Sequence, residues 1–127
     1  MENKEVIEQL RYFKPSEFLC KCGCGQGLLQ MNDLVLQKID FMRLIMNQPI
    51  VINSAYRCAQ YNRIVGGEKD SSHKKGLALD LRVLNNSHRL KLLHYAYMVG
   101  FRRFGLGKNH LHLDLDTKKP WGIMWLE

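Results

Sequence analysis

Two short stretches of this chain alternate strictly between leucine and other residues, and they constrain the fold more than anything else in it. In the first, Leu77, Leu79 and Leu81 alternate with Ala78, Asp80 and Arg82. In the second, Leu111, Leu113 and Leu115 alternate with His110, His112, Asp114 and Asp116. A period of two is that of a β-strand with one face in a core. The leucine faces therefore demand a covering layer, and the ionisable groups point away from it. Either stretch alone suits an edge strand with a polar outer face. Together, with His73 at the end of the polar loop that precedes the first, they point to a metal site. Zinc accepts imidazole nitrogen and carboxylate oxygen at about 2.0–2.2 Å, and a catalytic zinc keeps three protein ligands plus an open position.

The covering layer is legible elsewhere. Residues 33–46 form a core-facing helix, with Asn32 as N-cap, Asp33 at its positive end and Val35, Ile39, Met42 and Ile45 as an apolar stripe. Residues 2–11 form a short helix with Val6, Ile7 and Leu10 on one face, broken by the 13–18 segment around Pro15. Pro49 prevents a helix from continuing, and Ile50, Val51 and Ile52 read as a buried strand that delivers Ser54 to Arg57 at its end. A short helix follows over 58–65, ended by Gly66 and Gly67. Another runs from Ser87, as N-cap, to about Val99, with Leu90, Leu93 and Tyr97 inward and with His88 and His94 facing solvent or packing. Residues 101–106 are a strand, turned by Gly107, Lys108 and Asn109 into the His110 stretch. The expected architecture is α+β: a small, largely antiparallel sheet with helices packed on one side, in a single domain over 1–127.

Several function classes fall away. No apolar run approaches the roughly 18 residues that span a bilayer. The charged start, Met1 to Glu5, has no apolar segment of the kind a secretory signal needs. A protein that is cytoplasmic as synthesised is expected, working where it is made or released by lysis. The net charge of +7 favours anionic partners, but no basic run exceeds two residues and none is interleaved with aromatics. It is expected to act as diffuse attraction rather than as a nucleic-acid site, on a monomer. Cys20, Cys22 and Cys24 lie among glycines, and Cys58 follows Arg57. Reduced thiols, a disulfide from the cluster to Cys58, and a second, structural zinc all remain open, the last against the usual C-x₂-C spacing.

The segment Ser71-x-His73-x-x-Gly76-x-Ala78-x-Asp80 resembles the S-x-H-x-x-G-x-A-x-D motif of the zinc D-Ala-D-Ala carboxypeptidase family. That family includes phage endolysins that cut L-Ala-D-Glu bonds, and it shares its fold with the hedgehog signalling domain. Asn53-Ser54-Ala55-Tyr56-Arg57 resembles its S-G-Y-R element, with Ala55 in place of Gly. Tyr61-Asn62-Arg63-x-Val65-Gly66-Gly67 is similar to the segment linking the two, and His112-Leu113-Asp114 to the late H-x-D strand of small members. The opening Phe18-x-Cys20-Lys21-Cys22-Gly23-Cys24-Gly25 is similar to the start of that subgroup, so the likeness covers roughly residues 13–126.

The resemblance implies one zinc per chain on His73, Asp80 and His112, with Arg57 holding a substrate carboxylate and Ser71 beside it in substrate binding. It implies hydrolysis, by a zinc-activated water, of a D-amino-acid-containing amide bond in peptidoglycan stem peptides. The family's general base is usually an Asp or Glu three residues before the last His, where this chain has Asn109, which cannot serve as one. Asp114, on the face of His112, is the first candidate in its place and His110 the second; either would alternatively orient His112. The missing acid also favours another reading, a non-catalytic, zinc-stabilised binding module of the same fold.

Overall fold

The computed structural model describes residues 3–127; Glu2, where the first expected helix begins, lies outside them. The element order is α1 (Asn3–Glu8), a 3-10 turn (Pro15–Phe18), α2 (Asp33–Met46), β1 (Ile52–Ser54), α3 (Ala59–Ile64), β2 (Ala78–Arg82), α4 (Asn86–Met98), β3 (Arg103–Leu106), β4 (His110–Asp114) and β5 (Ile123–Leu126). The strands make one sheet in the order β1-β2-β4-β3-β5. Every pairing is antiparallel except that of β3 with β5. This is the expected α+β arrangement.

The leucine faces are the centre of the core. Leu79, Leu81, Leu111 and Leu113 are wholly buried against Val35, Leu36, Ile39 and Met42 of α2, Leu92 and Ala96 of α4, and Val6 and Ile7 of α1. Burying side chains of this size contributes about 1.5–3 kcal/mol each. Helix α2 follows its sequence signals: the Asn32 side chain accepts from the amides of Leu34 and Val35 at 2.9 and 3.2 Å, and Asn47 ends the helix in the left-handed region.

Helix α4 departs from expectation in its cap and its face. Asn85, not Ser87, caps it, accepting the His88 amide at 2.8 Å. Leu92, Ala96 and Val99 are buried, Leu93 only partly, while Leu90 and Tyr97 are 68% and 57% exposed. Both columns of residues have helical spacing, so periodicity alone does not choose between them. Ala96 adds nothing to the apolar signal, yet a small side chain lets a helix approach a sheet. Tyr97 instead lies under the Arg102 guanidinium, 3.8 Å from its ring centre. His88 accepts the Leu84 amide at 3.0 Å and His94 is exposed against Tyr95. Strand β1 begins later than expected, at Ile52, although the Val51 carbonyl still accepts the Arg82 amide. None of the described helices is long and apolar enough to cross a membrane.

Candidate metal centre

Strand register brings the two alternating stretches into one site. In the pairing of β2 with β4, Asp80 stands opposite His112 on one face and Leu79 opposite Leu113 on the other. Opposed residues are close enough for short side chains to meet, and His112 Nδ1 is 3.1 Å from Asp80 Oδ1. His73 arrives on the loop before β2, its Nε2 3.2 Å from the same Asp80 oxygen. The two imidazole rings meet edge to face at 5.2 Å. One donor atom from each of His73, Asp80 and His112 lies within 4.8 Å of the other two. All three line an open cleft of about 340 Å³.

The hydrogen bonds behind the rings decide which nitrogen each turns inward. His73 Nδ1 is 2.7 Å from the Ala55 carbonyl oxygen, which only accepts, so Nδ1 carries the proton and Nε2 presents a lone pair. His112 Nε2 is 2.7 Å from Asp114 Oδ2. It donates there, and the neutral ring presents its Nδ1 lone pair to Asp80. With both rings neutral, two imidazole lone pairs and a carboxylate oxygen converge, an arrangement that calls for a positive charge in their midst, either a proton or a metal ion. The titration behaviour reflects this. Burial alone would lower the His112 imidazole, but its hydrogen bonds to Asp114 and Asp80 outweigh burial and push it up to about 9. Burial works against the charged form of Asp80 too, and the hydrogen bonds of His112 and His73 outweigh it, holding that carboxyl well below the usual range. Two imidazoles and one carboxylate, open on one side, are a donor set that zinc takes. The residues fit the metal.

Asp114 shares the face of His112 as expected and lies in the wall of the cleft, with both of its oxygens already engaged. It is 0% exposed. Oδ2 is engaged by His112, while Oδ1 accepts from Arg103 Nε at 2.7 Å and from the Asp116 amide at 2.9 Å. Alternation reveals a side chain's face and not its depth. The contact of Asp114 with His112 Nε2 is of the kind that fixes a ring's orientation. Arg103, counted in the sequence among diffuse charges, is buried beneath the site with its guanidinium 4.9 Å from the Trp125 ring centre. Asp116 lies past the end of β4, where it accepts from Ser72 Oγ at 2.7 Å and Lys75 Nζ at 2.8 Å and so ties the His73 loop to the strand.

Arg57 reaches the rim of the site, with Nη2 3.4 Å from Asp80 Oδ2 and Nη1 3.3 Å from Asn62 Oδ1. Buried Asn62 in turn donates to the Glu68 carbonyl at 2.8 Å. Ser71 lines the cleft, and its hydroxyl oxygen accepts the His73 amide at 3.2 Å. Asn109 lies in the β3–β4 turn, its carbonyl accepting the Val83 amide. His110 is turned to a residue that sequence reasoning missed: its Nε2 is 2.6 Å from Glu127 Oε1, and Glu127 Oε2 accepts from Trp125 Nε1 at 3.0 Å. Trp125 and Glu127 line the same cleft, and the Trp125 ring lies 5.5 Å from that of His112.

One sequence signal for this approach existed. Gly105 pairs with His112 on one side and Trp125 on the other. A Cβ there would come within 2.7 Å of the Glu127 carboxyl carbon and 2.9 Å of Trp125 Nε1. Glycine inside a strand marks such a close approach.

No curated protein matches this chain. A family model for Peptidase M15 matches residues 11–116, which takes in His73, Asp80, His112, Arg57 and every helix and strand except α1 and β5. With His73, Asp80 and His112, four of the five strands and most of its length inside the match, the chain belongs to the Peptidase M15 family, whose peptidases are zinc-dependent.

Proposed function

We propose that the protein hydrolyses a D-amino-acid-containing amide bond in peptidoglycan stem peptides and that His73, Asp80 and His112 hold one zinc ion. The observation that carries this is the convergence of two imidazole lone pairs and a carboxylate oxygen on one point beside a cleft. Zinc bound to such donors lowers the pKa of water toward about 7 and polarises an amide carbonyl.

The chain's own groups do the rest. The Ala55 carbonyl and the Asp114 carboxylate hold the two rings in the tautomers that ligation needs. Glu127 is a carboxylate that lines the cleft and is not one of the three donors. Burial works against its charge, but hydrogen bonds from His110 and Trp125 outweigh burial and keep its carboxyl below the usual range. It accepts a proton from the attacking water and delivers it to the leaving amine nitrogen. His110 positions Glu127 rather than acting as the base itself, and Glu127 supplies what Asn109 cannot. Arg57 offers its planar fork to a substrate carboxylate, a geometry that Lys does not imitate. Ser71 has an O–H proton to donate beside it. The +7 charge suits a wall polymer that carries carboxylates and phosphates.

Purified sacculi treated with zinc-loaded protein should release new amino termini, and a chelator should abolish the release. Free D-Ala as product identifies a carboxypeptidase, an internal cut an endopeptidase. Zinc-loaded, folded protein without turnover on sacculi or muropeptides would instead support the non-catalytic binding module, the reading that Asn109 favours.

A further inference from the structure

The four cysteines, which the peptidase chemistry leaves unused, come together at one point. Cys20 Sγ is 3.4 Å from Cys22 Sγ and 3.7 Å from Cys58 Sγ, and Cys22 Sγ is 3.7 Å from Cys58 Sγ. Cys24 joins them, all four sulfurs lying within 4.8 Å of one another. No pair forms a disulfide, whose sulfurs would stand roughly 2.05 Å apart; Cys20, Cys22 and Cys58 are spaced almost evenly instead. A tetrahedral zinc with bonds of about 2.3 Å needs its sulfurs about 3.8 Å apart. We infer that Cys20, Cys22, Cys24 and Cys58 bind a second zinc ion in a closed, four-thiolate structural site.

The local backbone explains how C-x-C-x-C does this without the usual spacing. Alternate residues of an extended segment would point the same way but stand too far apart to share one ion. Here Gly23 and Gly25 take φ of +84° and +79°, which coils the chain so that successive sulfurs turn to a common centre. The Cys20 amide closes the coil on the Gln26 carbonyl at 2.8 Å. Two backbone amides also point at sulfur: Cys58 N–H at Cys20 Sγ and Tyr61 N–H at Cys58 Sγ, each at 3.4 Å. Such bonds offset negative charge on thiolates. Closed coordination with no open position is the mark of a structural site. Cys58 directly follows Arg57 and caps α3, so an ion here clamps the 20–26 loop to the segment that aims the guanidinium at Asp80.

Metal content of the purified, zinc-saturated protein tests this independently of hydrolysis. Two zinc ions per chain are expected in wild type, and one in both Cys22→Ser/Cys24→Ser and His73→Ala, each variant losing a different ion. Cobalt exchanged into wild type should give intense thiolate-to-metal charge-transfer absorption in the near ultraviolet, retained in His73→Ala. A single zinc per chain in wild type that His73→Ala loses, or cobalt protein without the thiolate band, overturns the inference. So does unchanged zinc content in the double cysteine variant. The wild-type cobalt spectrum decides even if that variant does not fold, and the His73→Ala arm keeps failure here distinct from failure of the His73, Asp80 and His112 site.

Discussion

Replacing Asp114 by Asn puts the tautomer argument at risk. The new amide is nearly isosteric, but its two ends are no longer alike. Arg103 Nε and the Asp116 amide both donate to one end, at 2.7 and 2.9 Å, so the amide oxygen must settle there. Its NH₂ then faces His112 Nε2 across the 2.7 Å contact that a carboxylate oxygen now fills. Two donors cannot share that contact. His112 must move its proton to Nδ1, the atom that faces Asp80, and the lone pair needed for ligation is lost. Loss of such an orienting partner costs 10–100-fold in metal affinity, which is about 1.4–2.7 kcal/mol at 1.36 kcal/mol per decade. The substitution also strips buried Arg103 of its counter-charge. Breaking a buried pair costs about 3–5 kcal/mol, and the acceptors that remain, the amide oxygen and the Pro120 carbonyl, keep this variant near 3. Zinc affinity should be measured by competition with a chromophoric chelator, and stability by urea unfolding in excess EDTA, which separates the two effects. A folded variant whose zinc affinity stays within about twofold of wild type would refute the reasoning.

Glu127→Gln should lower turnover by about 10²–10⁴-fold with zinc content unchanged, and His110→Gln should lower it less; single-turnover rates on a muropeptide check both, and full activity in Glu127→Gln returns the base to an unassigned group. Arg57→Lys should lose most activity while zinc stays bound, because only the forked geometry is removed; wild-type rates would make Arg57 a structural residue. Burial would raise the Asp116 carboxyl, but the hydrogen bonds of Lys75 and Ser72 outweigh it and hold the group below its ordinary value. A folded pKa below the unfolded one gives stability that is present above the unfolded value of about 3.9 and is lost as pH falls through the folded one. Acid unfolding of Asp116→Asn should therefore be less steep with pH than that of wild type below about pH 4, and parallel curves would count against the Lys75 and Ser72 interaction.

The parts of this molecule that were legible in sequence are those where one short-range rule acts alone. Strict alternation identified β2 and β4, and the Asn32 cap with its apolar stripe identified α2 to the residue. Alternation limits the register without choosing it: a one-residue slip would turn a leucine face outward, but slips of two residues keep it buried, and the structure is what sets Asp80 opposite His112. What stayed hidden needed a third dimension. Strand β5 has no period-two pattern because Ile123, Met124 and Leu126 are all exposed; pairing with β3 defines it, not a buried face. Glu127 acquires its place only through that pairing. The buried column of α4 was masked by a brighter apolar one, and the depth of Asp114 and Arg103 depends on how closely β3 and β4 pack, which no spacing reports.

Asp80 and His112 sit on neighbouring strands inside the sheet, each strand laddered on both sides. Arg57 approaches from a connecting loop and Glu127 from just past β5, one of the two edge strands. Amide exchange should follow that gradient, slowest along β2 and β4 and fastest along β5. The spacing of Asp80 and His112 is then a property of the folded ladder, settled before any peptide arrives, whereas the groups proposed to grip and protonate the peptide lie at its margins. On the proposed function, changes in β5 or the Arg57 loop should alter which bond is taken while zinc content stays as it is, so selectivity and metal retention become separable targets for substitution.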